Sequence, residues 1–322
     1  MKKRNFLRGF ASDGEQTSGI FKLKKFRTKK KLPFLHKPTI IVVLGQTATG
    51  KSDLAVKIAK KINGEIISAD SRQIYKNLDI GTGKITKKEM KSIPHYLLDV
   101  ANPKYKFTVA EYQKLVEEKI KEILARGNTP IICGGTGFYI DAITKGIIFP
   151  EVPPNKNLRK ILEKKSEIEL FKILKKIDSE RAKNIDIKNK VRVIRAIEIA
   201  KALGKVPRAE ATPPPYKFIK IGLYLPPDEL KKKVEKRVKK MFKDGLLNEI
   251  KKLKKTGVSD KRLKELGFEY YNPTPEKVIS ETLKYAKRQM TWFKRDMEIR
   301  WLDASKSVTT KKIITYSTNS GS

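Results

Sequence analysis

One cysteine and two histidines are all the soft ligand chemistry that this 322-residue chain carries. Cys133 sits in an apolar, strand-like run, so intrachain disulfides and thiolate metal clusters are excluded, and a reducing, cytoplasmic compartment is expected. His36 and His95 are too few for a histidine-rich zinc site. No apolar stretch approaches the roughly 20 residues that a membrane helix needs. The first 37 residues lack the continuous apolar core of a secretory signal. Acidic residues are also scarce: 35 stand against 73 Lys and Arg, a formal net charge of +38. That balance implies a polyanionic partner, nucleic acid first, the rival reading being a proteome in which every protein is lysine-rich. No internal repeat or low-complexity segment is apparent. The length suffices for one large domain with an appendage.

What is present centres on Thr39 to Ser52, TIIVVLGQTATGKS. Ile40 to Leu44 is a short β-branched run that fits a buried parallel strand. It breaks into Gly45-Gln46-Thr47-Ala48-Thr49-Gly50-Lys51-Ser52, which meets every fixed position of G-x-x-x-x-G-K-[ST]. Leu54, Ala55, Ile58, Ala59 and Ile62 then follow at helical spacing. Strand, glycine loop and helix together form a cradle for phosphate. The glycines let successive N–H groups turn toward an anion, and the helix aims its positive end at the same point. Lys51 adds a point charge, and the Ser52 hydroxyl is a candidate ligand for Mg2+.

Further on, Gly64 to Asp70 reads as a second strand ending in a carboxylate, ahead of Ser71-Arg72-Gln73. Ligands of open parallel sheets sit beyond the carboxyl ends of the strands, so Asp70 should face the same crevice as Lys51. The alternative for Asp70 is a helix cap ahead of Ser71. Asp79 to Lys84 is a glycine-rich turn, His95 to Val100 a third strand, Thr108 to Ala125 an amphipathic helix, and Thr129 to Cys133 a fourth strand. Alternation of this kind predicts an α/β fold: a P-loop NTPase-like parallel sheet flanked by helices. Between Glu151-Val152-Pro153-Pro154-Asn155 and Thr212-Pro213-Pro214-Pro215 the pattern turns almost wholly helical, and Phe218 to Leu225 returns as a strand. Residues 151–212 therefore read as a small all-helical domain inserted into a discontinuous core of residues 38–150 and 213–305. Residues 1–37 read as a basic, flexible extension and 306–322 as a tail. Phe21 to Lys37 carries eight Lys or Arg and no acid, as an RNA-touching arm would; a mistaken start site or an organellar presequence accounts for it equally.

Two late helices add chemistry. Leu230, Val234, Val238 and Met241 share a face, and Arg237 falls on its buried edge, where a guanidinium needs an anion. Ile279, Leu283, Ala286, Met290, Phe293 and Met297 form a second apolar stripe, flanked by Lys284, Lys287, Arg288, Lys294 and Arg295 as a basic ridge suited to a phosphate backbone. The fourth strand does not end in the magnesium-binding Asp usual in motor NTPases; Leu97-Leu98-Asp99 is the only substitute.

In combination, these motifs resemble the tRNA dimethylallyltransferases, also called tRNA isopentenyltransferases. The resemblance runs from Pro38 to Asp303. It is carried by the glycine loop, Ser68 to Tyr75, Asp79 to Thr82, Pro94 to Asp99, Gly134 to Tyr139, Pro153 to Arg159, Arg192 to Glu198, Arg237 to Glu249 and Lys287 to Trp292. It implies transfer of a dimethylallyl group from dimethylallyl diphosphate to N6 of an adenosine beside the anticodon of tRNA, by a monomer that engages the anticodon stem-loop. Residues 45–52 would then hold the diphosphate, with Ser52 on Mg2+. Lys51 and Arg237 would stabilise the departing group, and Asp70 would be the general base. Asp70, Ser71, Arg72, Gln73 and Thr136, with Arg159 and Arg192 from the inserted domain, match positions that contact tRNA. Gln46 departs from the family's usual proline, and Leu266-Gly267-Phe268-Glu269 matches the family's I-G-Y-[KR] element only loosely. Two other activities fit the same motifs, an isopentenyltransferase acting on free adenine nucleotides and a P-loop small-molecule kinase. An RNA-binding module with a vestigial loop is a third alternative, of another class.

Overall fold

The structure, a computed structural model, describes residues 37–207 and 210–306. The expected N-terminal extension (Lys37 apart) and the C-terminal tail (Lys306 apart) lie outside the described residues.

The first half alternates strand and helix as expected: β1 (Thr39–Gly45), α1 (Lys51–Ile62), β2 (Gly64–Ser68), a single turn α2 (Lys87–Met90), β3 (His95–Tyr96), α3 (Val109–Ala125), β4 (Thr129–Cys133) and α4 (Gly137–Thr144). Four helices follow, α5 (Lys156–Leu162), α6 (Glu167–Ile177), α7 (Ser179–Lys183) and α8 (Lys190–Leu203). The chain then returns through β5 (Lys217–Tyr224), α9 (Pro227–Lys243), α10 (Leu246–Lys255), α11 (Asp260–Leu266), α12 (Pro275–Phe293) and β6 (Arg300–Asp303). The strands form one parallel sheet in the order β3-β2-β4-β1-β5-β6.

Successive side chains of a strand point to opposite faces, and β1 shows what that does to an unbroken apolar run. Ile40, Val42 and Leu44 enter the core beneath α3, α4 and α10, whereas Ile41 and Val43 pack against Leu54, Ala55 and Ile58 of α1. Both faces are covered, so the strand needs no polar alternation. The register sets Val43 of β1 beside Cys133 of β4 and Ile221 of β5, bringing the carboxyl ends of the central strands level. The loops that leave those ends share one crevice.

Local signals set the helix starts. Thr108 and Glu111 form a reciprocal capping box at α3, as Ser166 and Glu169 do at α6, while Pro227 and Pro275 open α9 and α12. Helices α5 to α8 bury their own apolar cluster, including Leu162, Leu170, Leu174, Val193 and Ile197. The two junctions of this segment lie side by side, Ile148 N donating to Glu210 O and Thr212 N to Gly146 O.

Two expectations change. The third strand stops at Tyr96 instead of running to Val100, because Leu97 (φ 61°) and Asp99 (φ 58°) take left-handed backbone that an extended ladder cannot accommodate. Asp99 instead pairs with Lys84 at 2.6 Å. The apolar stripe of α12 also ends at Phe293: Met297 lies beyond the helix and is 91 % exposed.

Candidate active site

Gly45 closes β1 with φ 129°, and a Cβ there would fall 2.1 Å from Leu223 O of β5, so this turn takes glycine alone. The loop then passes Ala48, itself left-handed at φ 63°, and enters α1 at Lys51. Thr47, Ala48, Gly50, Lys51 and Ser52 line the crevice. Gly45, Gln46 and Thr49 lie behind it and hold its shape. Gln46 N donates to Leu223 O at 3.3 Å, and its side-chain Oε1 accepts from Leu225 N at 3.3 Å. A proline could make neither bond, so the departure at this position ties the loop to β5 in its own way.

Gln46 O accepts from both Thr49 Oγ1 (2.7 Å) and Lys51 Nζ (2.5 Å). Burial of the amine pushes the Lys51 pKa down to about 8, a pull that Cys133 and Asp70 only partly offset and that neighbouring Arg237 reinforces. Burial likewise raises the Cys133 thiol to about 12, so it stays protonated beside Ser52, with which it hydrogen-bonds.

Across the crevice, Asp70 ends the loop after β2. Its Oδ1 accepts from Arg72 N (2.9 Å) and Gln73 N (3.3 Å), which fixes the carboxylate on a turn, residues 71–74 not being helical. The capping and the chemical readings of Asp70 are thus compatible, since Oδ2 makes neither bond. Ser71 N donates to Thr136 Oγ1 at 2.9 Å, joining that turn to the loop after β4.

The third wall comes from α9, whose buried stripe is Leu230, Val234, Val238 and Met241 as the periodicity predicts. Arg237 projects from its edge and donates through NH2 to Thr82 O at 2.9 Å. Gly83 (φ 57°) lets the guanidinium through, for a Cβ there would stand 2.3 Å from the same nitrogen. Burial lowers the Arg237 pKa against the pull of Asp70 and Glu269. Among the described residues, neither Lys51 nor Arg237 has a carboxylate within the 4.0 Å of an ion pair. Two desolvated cations without a direct ion pair thus face one cavity, an arrangement suited to receiving an anion between them.

Arg72 is different. It pairs with Glu269 at 2.6 Å and lies over the rings of Phe268 (4.9 Å) and Tyr285 (5.5 Å). Burial raises the Glu269 pKa even against that guanidinium. The loosely matching Leu266 to Glu269 element therefore forms part of the crevice wall, with the carboxylate answered by Arg72. Gln73 donates weakly to Thr82 O and Gly83 O, both at 3.4 Å.

Of the two residues placed on the inserted segment, Arg159 forms a bidentate pair with buried Glu198 (2.8 and 2.7 Å), and Arg192 is exposed on α8. Neither lines the crevice.

Sequence reasoning missed Gln289 and Tyr285. Gln289 of α12 is 5 % exposed; its Oε1 accepts from Thr47 N at 2.8 Å and its Nε2 donates to Gly135 O at 2.9 Å. It thereby pins the glycine loop after β1 to the loop after β4. Its signals were its place in the Lys287 to Trp292 motif and its polarity inside the apolar stripe. Tyr285, four residues earlier, hydrogen-bonds with Thr136, and burial raises its phenol to about 12.

As to a metal, no cluster of three or more His, Cys, Asp or Glu side chains able to hold one occurs among the described residues. Ser52 is exposed in the first turn of α1, beside Asp53 on the crevice lining. Such a donor set suits Mg2+, which takes most of its ligands from phosphate and water.

Residues 73–296 match the family model of IPP transferases. The tRNA dimethylallyltransferase of Halothermothrix orenii is 42 % identical over 83 % of this chain and 88 % of its own length. That of Bacillus cytotoxicus is 38 % identical over 86 % and 94 %. Among solved structures, the tRNA isopentenylpyrophosphate transferase of Bacillus halodurans is 33 % identical, with a TM-score of 0.65 over 89 % of this chain and 96 % of the other. A eukaryotic dimethylallyltransferase acting on tRNA superposes with a TM-score of 0.77 at 26 % identity, covering 88 % and 79 %.

Proposed function

The chain belongs to the IPP transferase family, and from that membership we infer that it is a tRNA dimethylallyltransferase. It moves the dimethylallyl group of dimethylallyl diphosphate onto N6 of an adenosine beside the tRNA anticodon. One observation carries the assignment of the site: Lys51 and Arg237, neither of them in an ion pair, face a single crevice with Asp70.

In this reading the diphosphate lies along Thr47 to Ser52, against the N-terminal N–H groups of α1, which have no acceptor within the helix. Adenine N6 attacks the allylic carbon as the C–O bond breaks. The bonding pair leaves with the diphosphate, where charge grows and where Lys51 and Arg237 act most strongly. The proton released from N6 passes to Asp70. A carboxylate is too weak to deprotonate a neutral amine beforehand, so proton loss accompanies or follows attack. Mg2+, held through Ser52 and the substrate oxygens, would neutralise further charge on the leaving group. The adenine has to leave its stack to reach this depth, and Tyr285, Arg72 and Gln73 line the space it would enter.

RNA engagement falls to the basic ridge formed by exposed Lys287 and Arg288 of α12 with Lys294 and Arg295 just beyond it, and to the helical segment α5 to α8. Among the described residues no helix is long and apolar enough to cross a membrane.

Radiolabelled prenyl transfer to tRNA and to AMP, run side by side, tests the function. Label is expected on tRNA alone; labelled AMP with unlabelled tRNA would overturn the assignment. Should six to ten phosphates be engaged, affinity for tRNA falls roughly 10³–10⁵-fold between 50 and 200 mM salt, and a flat response would remove the basic surface from the interface.

The Lys51 shift gives a pH prediction. In the free protein the amine loses its proton near pH 8, so the charge that attracts diphosphate is present below that value and fades above it. Affinity for an unreactive diphosphate analogue therefore declines above about pH 8, approaching tenfold per unit, and Lys51→Met is weak and flat over the same range. A wild-type profile level to about pH 10 would mean that Lys51 does not meet the anion.

A further inference from the structure

Glu249 of α10 makes an unusual number of bonds for a side chain outside the crevice. Its Oε2 accepts from Asp79 N (3.0 Å) and Ile80 N (2.7 Å), and its Oε1 from Gly81 N (3.0 Å) and the Tyr270 hydroxyl (3.0 Å). Three successive backbone amides thus converge on one carboxylate, an arrangement that in other proteins receives phosphate. Here the protein fills it with its own anion.

The gripped segment is the one that reaches Arg237. Immediately after Gly81, Thr82 O accepts the guanidinium at 2.9 Å, and Gly83 lies flush against it. From the opposite side the loop is wedged by Tyr270, whose ring would meet a Cβ on Gly81 at 2.6 Å. Lys84, its side chain 6 % exposed, fastens the loop's far end to Asp79, Asp99 and Tyr75 O. The carboxylate, the loop and the guanidinium are therefore consecutive links, Glu249 holding the three amides that lead directly into Thr82.

We propose that Glu249 is a positioning residue for group transfer, holding the loop of residues 79–83 so that Thr82 O aims the Arg237 guanidinium at the leaving diphosphate. The proposal rests on the reading of Arg237 given above.

Glu249→Gln keeps the shape but replaces one acceptor oxygen by a donor amide that faces Gly81 N and the Tyr270 hydroxyl. The single variant, Arg237→Ala and the double variant are compared by kcat for prenyl transfer at saturating substrates, by tRNA affinity and by thermal melting. Glu249→Gln alone is expected to lower kcat about 10–100-fold with tRNA affinity unchanged, and to have under about twofold further effect once Arg237 is gone. Equal losses in both backgrounds would overturn the proposal and leave Glu249 a residue of the core alone. If Glu249→Gln does not fold, Tyr270→Phe, which removes one of the four bonds, carries the same comparison: a kcat loss confined to the Arg237 background supports the proposal, and the same loss in both overturns it. A wild-type chain inactive on tRNA, or Arg237→Ala with full activity, would instead defeat the underlying reading.

Discussion

Asp70→Asn is expected to lower kcat for prenyl transfer by about 10²–10⁴ while leaving affinity for tRNA and for diphosphate nearly unchanged. The substitution is chosen for what it preserves. An asparagine oxygen can still accept from Arg72 N and Gln73 N, so the turn after β2 keeps its form. What is lost is the capacity to take a proton from the incoming nitrogen. A structural role as a cap would survive the change almost intact, costing a few tenths of a kcal/mol to about 1 kcal/mol of stability and little rate. Quench-flow measurement of a single turnover separates the two, because it reads the chemical step without product release. A variant that turns over at the wild-type rate would remove Asp70 from the chemistry.

Arg237→Ala should lower kcat by about 10²–10³, the range typical for removal of one preorganised group that stabilises developing negative charge. Arg237→Lys should recover only a part. The guanidinium spends one N–H on Thr82 O and has others left for phosphate, a division that a single ammonium on a flexible stem cannot reproduce. Affinity for tRNA should barely change in either variant, and the reverse outcome, weak binding with intact turnover, would place Arg237 on the RNA surface. Stability gives a second reading. Arg237 is desolvated without a carboxylate partner, so its removal should leave the melting temperature level or raise it. A large drop would mean that the side chain earns its place structurally.

The parts of this molecule that could be read from sequence are those set by neighbours along the chain. β1, its glycine loop and α1 follow from a β-branched run, two glycines and helical spacing, and β4 falls at the predicted Thr129 to Cys133. The buried stripe of α9 is legible for the same reason, and with it the aim of Arg237. What was not legible depends on partners distant in sequence or on backbone angle. Nothing in His95 to Val100 announces that Leu97 and Asp99 turn left-handed. Gln289 reads as an interruption of an apolar face until Thr47 and Gly135, 242 and 154 residues away, supply its bonds. Arg159 reads as a free cation until Glu198 comes within 2.7 Å on a neighbouring helix. Glu249 ends a recognisable motif, but its purpose is visible only when the loop from Asp79 to Gly81 folds against it.

The shortness of β3 bears on behaviour at high concentration. A sheet's outermost strand is where a second molecule can add itself, through unpaired N–H and C=O groups. Among the described residues the sheet has two at one margin and four at the other, which offer an intruding chain almost nothing to zip against. Like-charge repulsion at +38 adds a barrier to close approach. Crowded on a transcript with many copies nearby, such a protein would resist fibrillar stacking, because its sheet tapers at both margins.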